Sequence, residues 1–155
     1  MVPLTEILTV DRVLPNLNAS SKKQALQELA KRAEKETGVP ERTVFDALLD
    51  RERLGSTGVG RGVAIPHGTL KELDRIYGFF ARLEKPVNFD AADELPVDLI
   101  FVILAPENAG ADHLKAVTRL SRIFRDDAAC KRLRELESAD DLLGVFSENQ
   151  TSYAA

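Results

Sequence analysis

The sequence predicts an α/β fold, and three observations favour this class. Segments whose apolar residues recur every three or four positions, as in amphipathic helices, are interspersed with short apolar or alternating segments that are typical of strands. The segment from Leu99 to Ala105 is apolar throughout, which indicates a central strand covered on both faces. The chain has 155 residues, the size of one ordinary domain, so we expect residues 1–155 to form a single domain.

The composition narrows the class of protein. The chain is 44% hydrophobic and 30% charged with a net charge of −4, which is typical of a globular protein and disfavours a nucleic-acid partner. No apolar run is long enough for a membrane span, and the amino terminus lacks a signal pattern, so we expect a cytoplasmic protein with no membrane insertion. The one cysteine, Cys130, cannot form an internal disulfide, and we interpret it as an inert helical residue.

The first elements are predicted from turn and capping signals. A short strand is expected over Val10–Leu14, ended by Pro15. Ser21 followed by Gln24 indicates a capping box, and apolar residues then recur at helical spacing until Gly38. The sequence therefore predicts a helix between Ser21 and Gly38.

A second helix is predicted to start near Pro40 and to run to about Arg53. Its apolar stripe ends in an arginine, because four residues follow one line: Val44, Ala47, Leu48 and Arg51. Two interpretations of Arg51 stay open. The side chain can extend along its helix and cap the helix C-terminus, where a cation is favoured. Alternatively, the stripe delivers the guanidinium to the base of the glycine-rich stretch that follows.

The second half of the chain continues the alternation of strands and helices. We expect, in order, a buried strand over Val63–Ile65, a strand with one mostly apolar face over Tyr77–Leu83, connecting structure over Pro86–Leu95, a strand over Pro96–Ala105 and a helix from about Asp112. Asp126 and Ser138 are predicted to cap two further helices.

His113 lies in the first turn of the helix expected from Asp112, in line with the apolar residues Val117 and Leu120. A lone histidine on such a stripe is usually a structural residue. Here, however, it follows the loop at the end of the most buried strand, and sites in open α/β sheets are assembled from loops at strand ends. Both the structural and the functional interpretation stay open.

The stretch from Arg51 to Thr69 carries the strongest functional signal. Three glycines stand at alternate positions, and His67 lies between Pro66 and Gly68. Glycine-rich backbone and small hydroxyls can approach phosphoryl oxygens closely, and an arginine such as Arg51 offsets their charge. The candidate phosphate-binding residues are Ser56, Thr57, Gly58 and Thr69, although the sequence does not decide which hydroxyls make contact.

Four chemical interpretations of this stretch compete. A dinucleotide-binding loop should follow a strand and open a helix, whereas this stretch follows a helix and enters a strand. A Walker-type loop needs Gly-Lys-Ser/Thr, which is absent, and two histidines far apart are a poor metal site. A phosphohistidine site remains, because neutral imidazole attacks phosphorus directly near pH 7. His67 would carry the phosphoryl group, with Arg51 and His113 beside it.

Two segments resemble a known family. The stretch L-x-R-E-R-L-G-S-T-G-V-G-R-G-V-A-I-P-H-G, which begins at Leu49, is similar to the signature of the mannitol/fructose-type enzyme IIA proteins of the bacterial phosphotransferase system. Together with F-D-A-A-D-E-L-P-V-D-L-I-F-V-I-L-A-P, it resembles most narrowly the nitrogen-regulatory branch. The resemblance extends over roughly Leu4 to Phe146.

This resemblance implies a three-layer α/β/α fold, with a small mixed sheet flanked by helices. It implies that His67 is phosphorylated through Nε2, that Arg51 and His113 flank it, and that no cofactor is needed. The implied donor is a phosphorylated HPr-like carrier protein, supplied ultimately from phosphoenolpyruvate. The implied targets are regulatory proteins such as potassium transporters or sensor kinases.

Two other functions stay open from the sequence. The chain can be a stand-alone sugar-transport enzyme IIA that passes phosphate to a permease subunit. It can also be a binding module without phosphotransfer, in which His67 is a structural turn residue. The absence of a fused permease domain in these 155 residues favours the regulatory branch.

Overall fold

The computed structural model describes residues 3–153, with side chains described up to residue 148, so residues 1–2 and 154–155 of the expected domain lie outside it. The helices are α1 (Leu4–Ile7), α2 (Lys22–Thr37), α3 (Glu41–Arg53), α4 (Ala111–Arg125), α5 (Asp127–Glu135) and α6 (Ala139–Tyr153), and a short 3-10 helix covers Val10–Arg12. The strands are β1 (Val13–Leu17), β2 (Gly58–Gly60), β3 (Val63–Ala64), β4 (His67–Thr69), β5 (Tyr77–Val87) and β6 (Val97–Ala105).

Strand β6 organises the sheet. The strand order is β1-β5-β6-β3-β2, and β4 also pairs with β6. One edge of β6 pairs antiparallel with β5, whereas its other edge pairs in parallel first with β3 and then with β4. In this second pairing, His67 lies opposite Ile103. The sheet is therefore mixed, as the family resemblance implies, and β6 is its central strand, as the apolar run predicts.

Helices cover both faces of this sheet and define two cores. On one face, α2 and α3 pack against residues such as Val102 and Leu104 of β6. On the other face, α1, α4, α5 and α6 pack against Phe101 and Ile103. Successive side chains of a strand point to opposite faces, so a strand buried on both faces must be apolar at every position. The expected three-layer α/β/α arrangement is confirmed.

The helices begin and end where the local sequence signals predict. The Ser21 hydroxyl accepts a hydrogen bond from the Gln24 amide at 3.1 Å, which caps α2, and Gly38 ends this helix at a φ of 82°. Helix α3 follows Pro40 and ends at Arg53. The last residue of α3 therefore immediately precedes the glycine-rich stretch, and this places Arg51 in the final turn of the helix.

Strands β2 and β4 were not predicted, β3 lacks the last residue of the predicted Val63–Ile65, and β1 and β5 differ more widely from their predicted limits. The first strand was expected over Val10–Leu14, but β1 covers Val13–Leu17 and includes Pro15. Proline is tolerated there because β1 is an edge strand that pairs only with β5. The strand expected over Tyr77–Leu83 extends to Val87, and both of its faces are buried, because β5 lies inside the sheet and contacts both helical layers.

Candidate functional site

The glycine run forms an edge hairpin, β2–β3. Gly60 and Gly62 adopt φ angles of 97° and 80° in its turn, a region that disfavours other residues. At Gly58, an added Cβ would lie 2.8 Å from the Ala91 Cβ, so only glycine allows the two backbones to pack this closely. Gly60 and Gly62 thus allow the turn of the hairpin, and Gly58 allows close packing against Ala91, in addition to the approach to a phosphoryl group that the sequence interpretation stressed.

His67 begins β4, at the point where the chain leaves the buried strand β3. The amide of Ile103 in β6 donates to the Pro66 carbonyl at 3.0 Å, so the backbone on the N-terminal side of His67 is fixed to the central strand. The imidazole itself is only partly buried. The His67 side chain therefore projects from backbone that is hydrogen-bonded to the central strand, and it lies between the core and the surface.

Two hydrogen bonds define the tautomer of the His67 ring. Its Nδ1 lies 2.8 Å from the Ile65 carbonyl oxygen, which can only accept, so Nδ1 carries the proton. Its Nε2 accepts from Nε of Arg51 at 3.2 Å, and an arginine nitrogen can only donate. Both contacts select the neutral tautomer whose lone pair is on Nε2. This is the electronic form that a nucleophilic imidazole requires.

Arg51 makes the contacts expected from both interpretations of the sequence, at the helix C-terminus and at the site. Its Nη1 donates to the carbonyl of Gly55 at 2.9 Å, just beyond the end of α3, where a cation is favoured. At the same time, its Nε reaches His67. The guanidinium is thus held by the backbone on one side and contacts the imidazole on the other.

His113 approaches from the opposite helical layer. The His67 and His113 rings lie 5.4 Å apart between centroids and are nearly perpendicular, at 84°. The His113 Nε2 is buried and has no hydrogen-bond partner among the described residues. Burial, and secondly the proximity of His67, lower the pKa of His113, so this ring is held in its neutral form. Helices α3 and α4 thus contribute one side chain each around His67.

The four candidate phosphate-binding residues have different surroundings. The Ser56 hydroxyl donates to the Phe89 carbonyl at 2.6 Å and accepts from the Gly58 amide at 3.0 Å. Thr57 is buried, and both its amide and its hydroxyl donate to the carboxylate of Glu52. Only Thr69 is exposed, two positions after His67 in the same strand. Ser56, Thr57 and Gly58 are therefore engaged in structural contacts, whereas Thr69 is accessible.

Glu52 and Lys22 were not among the site residues predicted from the sequence. Glu52 is 7% exposed, and its carboxylate lies 3.0 Å from Nζ of Lys22, at the start of α2. A signal for Glu52 was present, because it follows Val44 and Leu48 at intervals of four and therefore continues the buried stripe of α3. No comparable signal exists for Lys22, since lysine in a first helical turn is ordinarily solvated.

Two features are absent from the part of the chain that the structure describes. Within residues 3–153, no group of three or more histidine, cysteine or acidic side chains could hold a metal ion. None of the helices described there is long and apolar enough to cross a membrane. The chemistry available at this site is that of the two imidazoles and the guanidinium.

Comparison with protein families gives one match that covers nearly the whole chain. Residues 6–149 match the family described as phosphoenolpyruvate-dependent sugar phosphotransferase system, EIIA 2. Among individual relatives, a nitrogen regulatory protein of Bradyrhizobium diazoefficiens is 51% identical over 146 residues, which cover 94% of this chain and 95% of the relative. The similarity therefore extends over nearly the full length of both proteins.

Solved structures show the same fold. The nitrogen regulatory protein IIA-Ntr from Neisseria meningitidis has a TM-score of 0.89 and 37% identity, covering 92% of this chain and 98% of its own. The IIA mannitol structure from Escherichia coli has a TM-score of 0.75 and 27% identity, covering 90% and 98% of the two chains. The first similarity is the stronger in both fold and sequence.

Proposed function

Since the chain belongs to the EIIA 2 family of the phosphoenolpyruvate-dependent sugar phosphotransferase system, and is therefore a phosphocarrier of this type, we propose that His67 carries its phosphoryl group. The observation that supports this most strongly is the pair of hydrogen bonds on the imidazole. Nδ1 is protonated toward Ile65, and the lone pair of Nε2 faces the guanidinium of Arg51.

The proposed transfer is a nucleophilic exchange between two imidazoles. The Nε2 lone pair of His67 attacks phosphorus, the bond from phosphorus to the donor's histidine nitrogen breaks, and that nitrogen keeps the electron pair. Nδ1 keeps its proton throughout and continues to donate it in a hydrogen bond to the Ile65 carbonyl. Arg51 must release Nε2 before the attack and then contacts the phosphoryl oxygens, which offsets their charge in the transition state.

The proposed donor is a phosphorylated HPr-like carrier protein, charged from phosphoenolpyruvate in the cytoplasm. Exposed apolar side chains adjoin the site in sequence and favour a protein donor over a small molecule. Leu54, which follows α3, is 84% exposed, and Leu114, which follows His113, is 70% exposed. Both leucines offer apolar surface that a docked protein would bury.

We further propose that the phosphorylation state of His67 regulates other proteins, including potassium transporters or sensor kinases. A phosphoryl group adds about 1.5 to 2 negative charges at pH 7. At a half-buried surface position, this charge changes which partners can dock, even if the backbone does not move. The higher similarity to nitrogen regulatory proteins than to mannitol IIA supports this regulatory function.

Labelling experiments test the proposed phosphorylation site. The protein is incubated with phosphoenolpyruvate and the upstream carriers, and the modified residue is mapped by mass spectrometry at neutral pH. We expect an acid-labile label on His67 that is absent from His67→Ala. His113→Ala serves as the matched histidine control and should remain labelled at His67, at a lower rate. A label that persists on folded His67→Ala would contradict the assignment.

The similarity to mannitol IIA supports a second candidate, a component that passes its phosphoryl group to a sugar permease. Adding a purified permease subunit to the labelled protein distinguishes the two functions. Loss of label that depends on sugar indicates transport, whereas a label that is stable with sugar present indicates regulation. A binding module without phosphotransfer predicts no labelling by any phosphohistidine donor.

A further inference from the structure

Glu52 is a buried carboxylate beneath the turn that links α3 to the edge hairpin. It is adjacent to Arg51, but successive residues of a helix point about 100° apart, so Glu52 points inward while Arg51 reaches the site. The Thr57 amide donates to both carboxylate oxygens, at 3.0 and 3.2 Å, and the Thr57 hydroxyl donates to one of them. Nζ of Lys22, 3.0 Å away, supplies the compensating charge.

Two chains of contacts lead from this carboxylate to the imidazole. In the first, the Ile65 amide donates to the Thr57 carbonyl at 3.0 Å, and the Ile65 carbonyl accepts from Nδ1 of His67 at 2.8 Å. In the second, the Gly55 carbonyl, two residues before Thr57, accepts from Arg51 at 2.9 Å, and Arg51 contacts Nε2 of His67 at 3.2 Å. Both ring nitrogens of His67 are therefore held by groups attached to the same turn.

We propose that Glu52 is a positioning residue for phosphoryl transfer, an inference that rests on the proposed function of His67. By fixing Thr57, the carboxylate fixes the carbonyl that selects the Nδ1-protonated tautomer. By fixing the turn, it also sets where Gly55 holds the Arg51 guanidinium. Glu52 touches neither the imidazole nor a phosphoryl group, and it acts only through these neighbours.

The negative charge of Glu52 is essential to this arrangement. A carboxylate accepts from the Thr57 amide, the Thr57 hydroxyl and Lys22 together, whereas a glutamine offers one acceptor oxygen and adds two donors. The Lys22 ammonium is also constrained, since it lies 3.5 Å from the Phe89 carbonyl and 5.0 Å from the centre of the Phe89 ring. Glu52→Gln therefore loses acceptors for Thr57 and leaves Lys22 without its closest counter-charge, so the turn shifts.

Four variants of the full chain test the role. Glu52→Gln removes the charge, Thr57→Val removes the hydroxyl donor at nearly constant shape, and Thr57→Ser retains that donor. Asp46→Asn is the matched charge control, because Asp46 lies on the same helix but is 53% exposed in its side chain and pairs with Arg42. Circular dichroism verifies that each variant is folded.

Two measurements distinguish a positioning role of Glu52 from a role in stability alone. The first is the rate of His67 labelling by an HPr-type carrier charged from phosphoenolpyruvate, measured over a range of carrier concentrations. The second is the set of imidazole ¹⁵N chemical shifts of His67, measured at alkaline pH, which report the tautomer. We expect Glu52→Gln and Thr57→Val to slow labelling at saturating carrier at least about 10-fold, with an apparent KM changed less than about threefold.

In the same two variants, we expect the His67 shifts to move from the Nδ1-protonated form toward a mixture of tautomers. Thr57→Ser and Asp46→Asn should match the wild type in both measurements. The inference would be overturned if folded Glu52→Gln had the wild-type labelling rate and the wild-type ¹⁵N chemical shifts. It would also be overturned if the substitution changed only the apparent KM for the carrier. Loss of the folded state in both Glu52→Gln and Thr57→Val would also overturn it and assign the network to stability.

The measurements also distinguish an error in the proposed function of His67 from an error in the proposed role of Glu52. If wild-type protein were not labelled at all, the phosphocarrier assignment of His67 would be wrong. The tautomer measurement would still decide whether Glu52 orients the ring, since it needs no donor protein.

Discussion

Replacement of Arg51 tests how the site stabilises a phosphoryl group. In the resting protein, its Nε lies 3.2 Å from Nε2 of His67, the atom that would bond to phosphorus. Phosphoryl oxygens on this nitrogen would lie roughly 4 Å from the guanidinium, a separation at which two unit charges interact by about 4 kcal/mol near a protein surface. Arg51→Gln removes this charge while leaving a polar side chain on α3.

Only the part of this attraction that grows in the transition state contributes to the rate. Loss of one well-placed donor to a transition-state oxygen typically slows a reaction about 100- to 1,000-fold. We therefore expect Arg51→Gln to slow labelling of His67 about 100-fold, or about 2.7 kcal/mol. Arg51→Lys should lose about 10-fold, because one ammonium cannot hold both the Gly55 carbonyl and the phosphoryl group.

The assay is single-turnover labelling by a phosphorylated HPr-type carrier at saturating concentration. Arg53→Gln is the matched control, since Arg53 lies two residues further along α3, is 68% exposed in its side chain and pairs with Asp50. Arg53→Gln should be labelled at a rate within about threefold of the wild-type rate, because an exposed ion pair contributes little to stability. Labelling of Arg51→Gln at the wild-type rate, or an equal loss in Arg53→Gln, would show that the Arg51 guanidinium does not stabilise the transferring phosphoryl group.

Three further predictions follow from the packing and the titrating groups. Gly58→Ala should lower the free energy of unfolding by about 1–3 kcal/mol in thermal unfolding, since its Cβ would collide with Ala91; unchanged stability would contradict this contact. Because burial lowers the pKa of His113, the unfolded state binds more protons, and the wild type should lose stability as the pH falls below 6.5. This loss should be smaller in His113→Asn, and equal pH dependence in denaturant titrations would count against the buried neutral ring. Burial raises the pKa of the Cys130 thiol, so alkylation at neutral pH should occur only on unfolding, and rapid alkylation of folded protein would contradict its burial.

Local signals predicted the helices well because helix ends depend on nearby residues. Ser21 and Gly38 set the limits of α2 through contacts that lie within a few positions in the sequence. The central strand β6 was equally predictable, since burial on both faces requires apolar residues at every position. These features depend on composition and periodicity, which the sequence displays directly.

The strands β1 and β5 were less predictable because their limits depend on partners distant in the sequence. Pro15 ends a strand by local rules, but β1 tolerates it at the sheet edge, where the residue has only one neighbouring strand. Strand β5 is covered on both faces although it contains Arg82, because this side chain donates hydrogen bonds to the carbonyls of Pro15 and Leu133, which lie far away in the sequence. Such long-range partners are not evident from local sequence patterns.

The sequence predicted the reactive groups of the site but not the hydrogen bonds that hold the surrounding backbone in place. Stripe positions pointed to Arg51 and His113, and both approach His67 as the helical geometry suggests. The roles expected for Ser56 and Thr57 did not allow for the contacts that occupy their hydroxyls. Those contacts depend on the fold of distant segments, and the sequence gives no spacing rule for them.

In the proposed phosphorylated state, Nε2 of His67 bonds to phosphorus while Nδ1 keeps its proton and donates a hydrogen bond to the Ile65 carbonyl. The most direct measurement is ³¹P–¹⁵N NMR on the phosphorylated protein with ¹⁵N-labelled histidine. We expect scalar coupling of phosphorus to Nε2 of His67 and a protonated Nδ1. Coupling to Nδ1, or phosphorus bonded to any other residue, would contradict it.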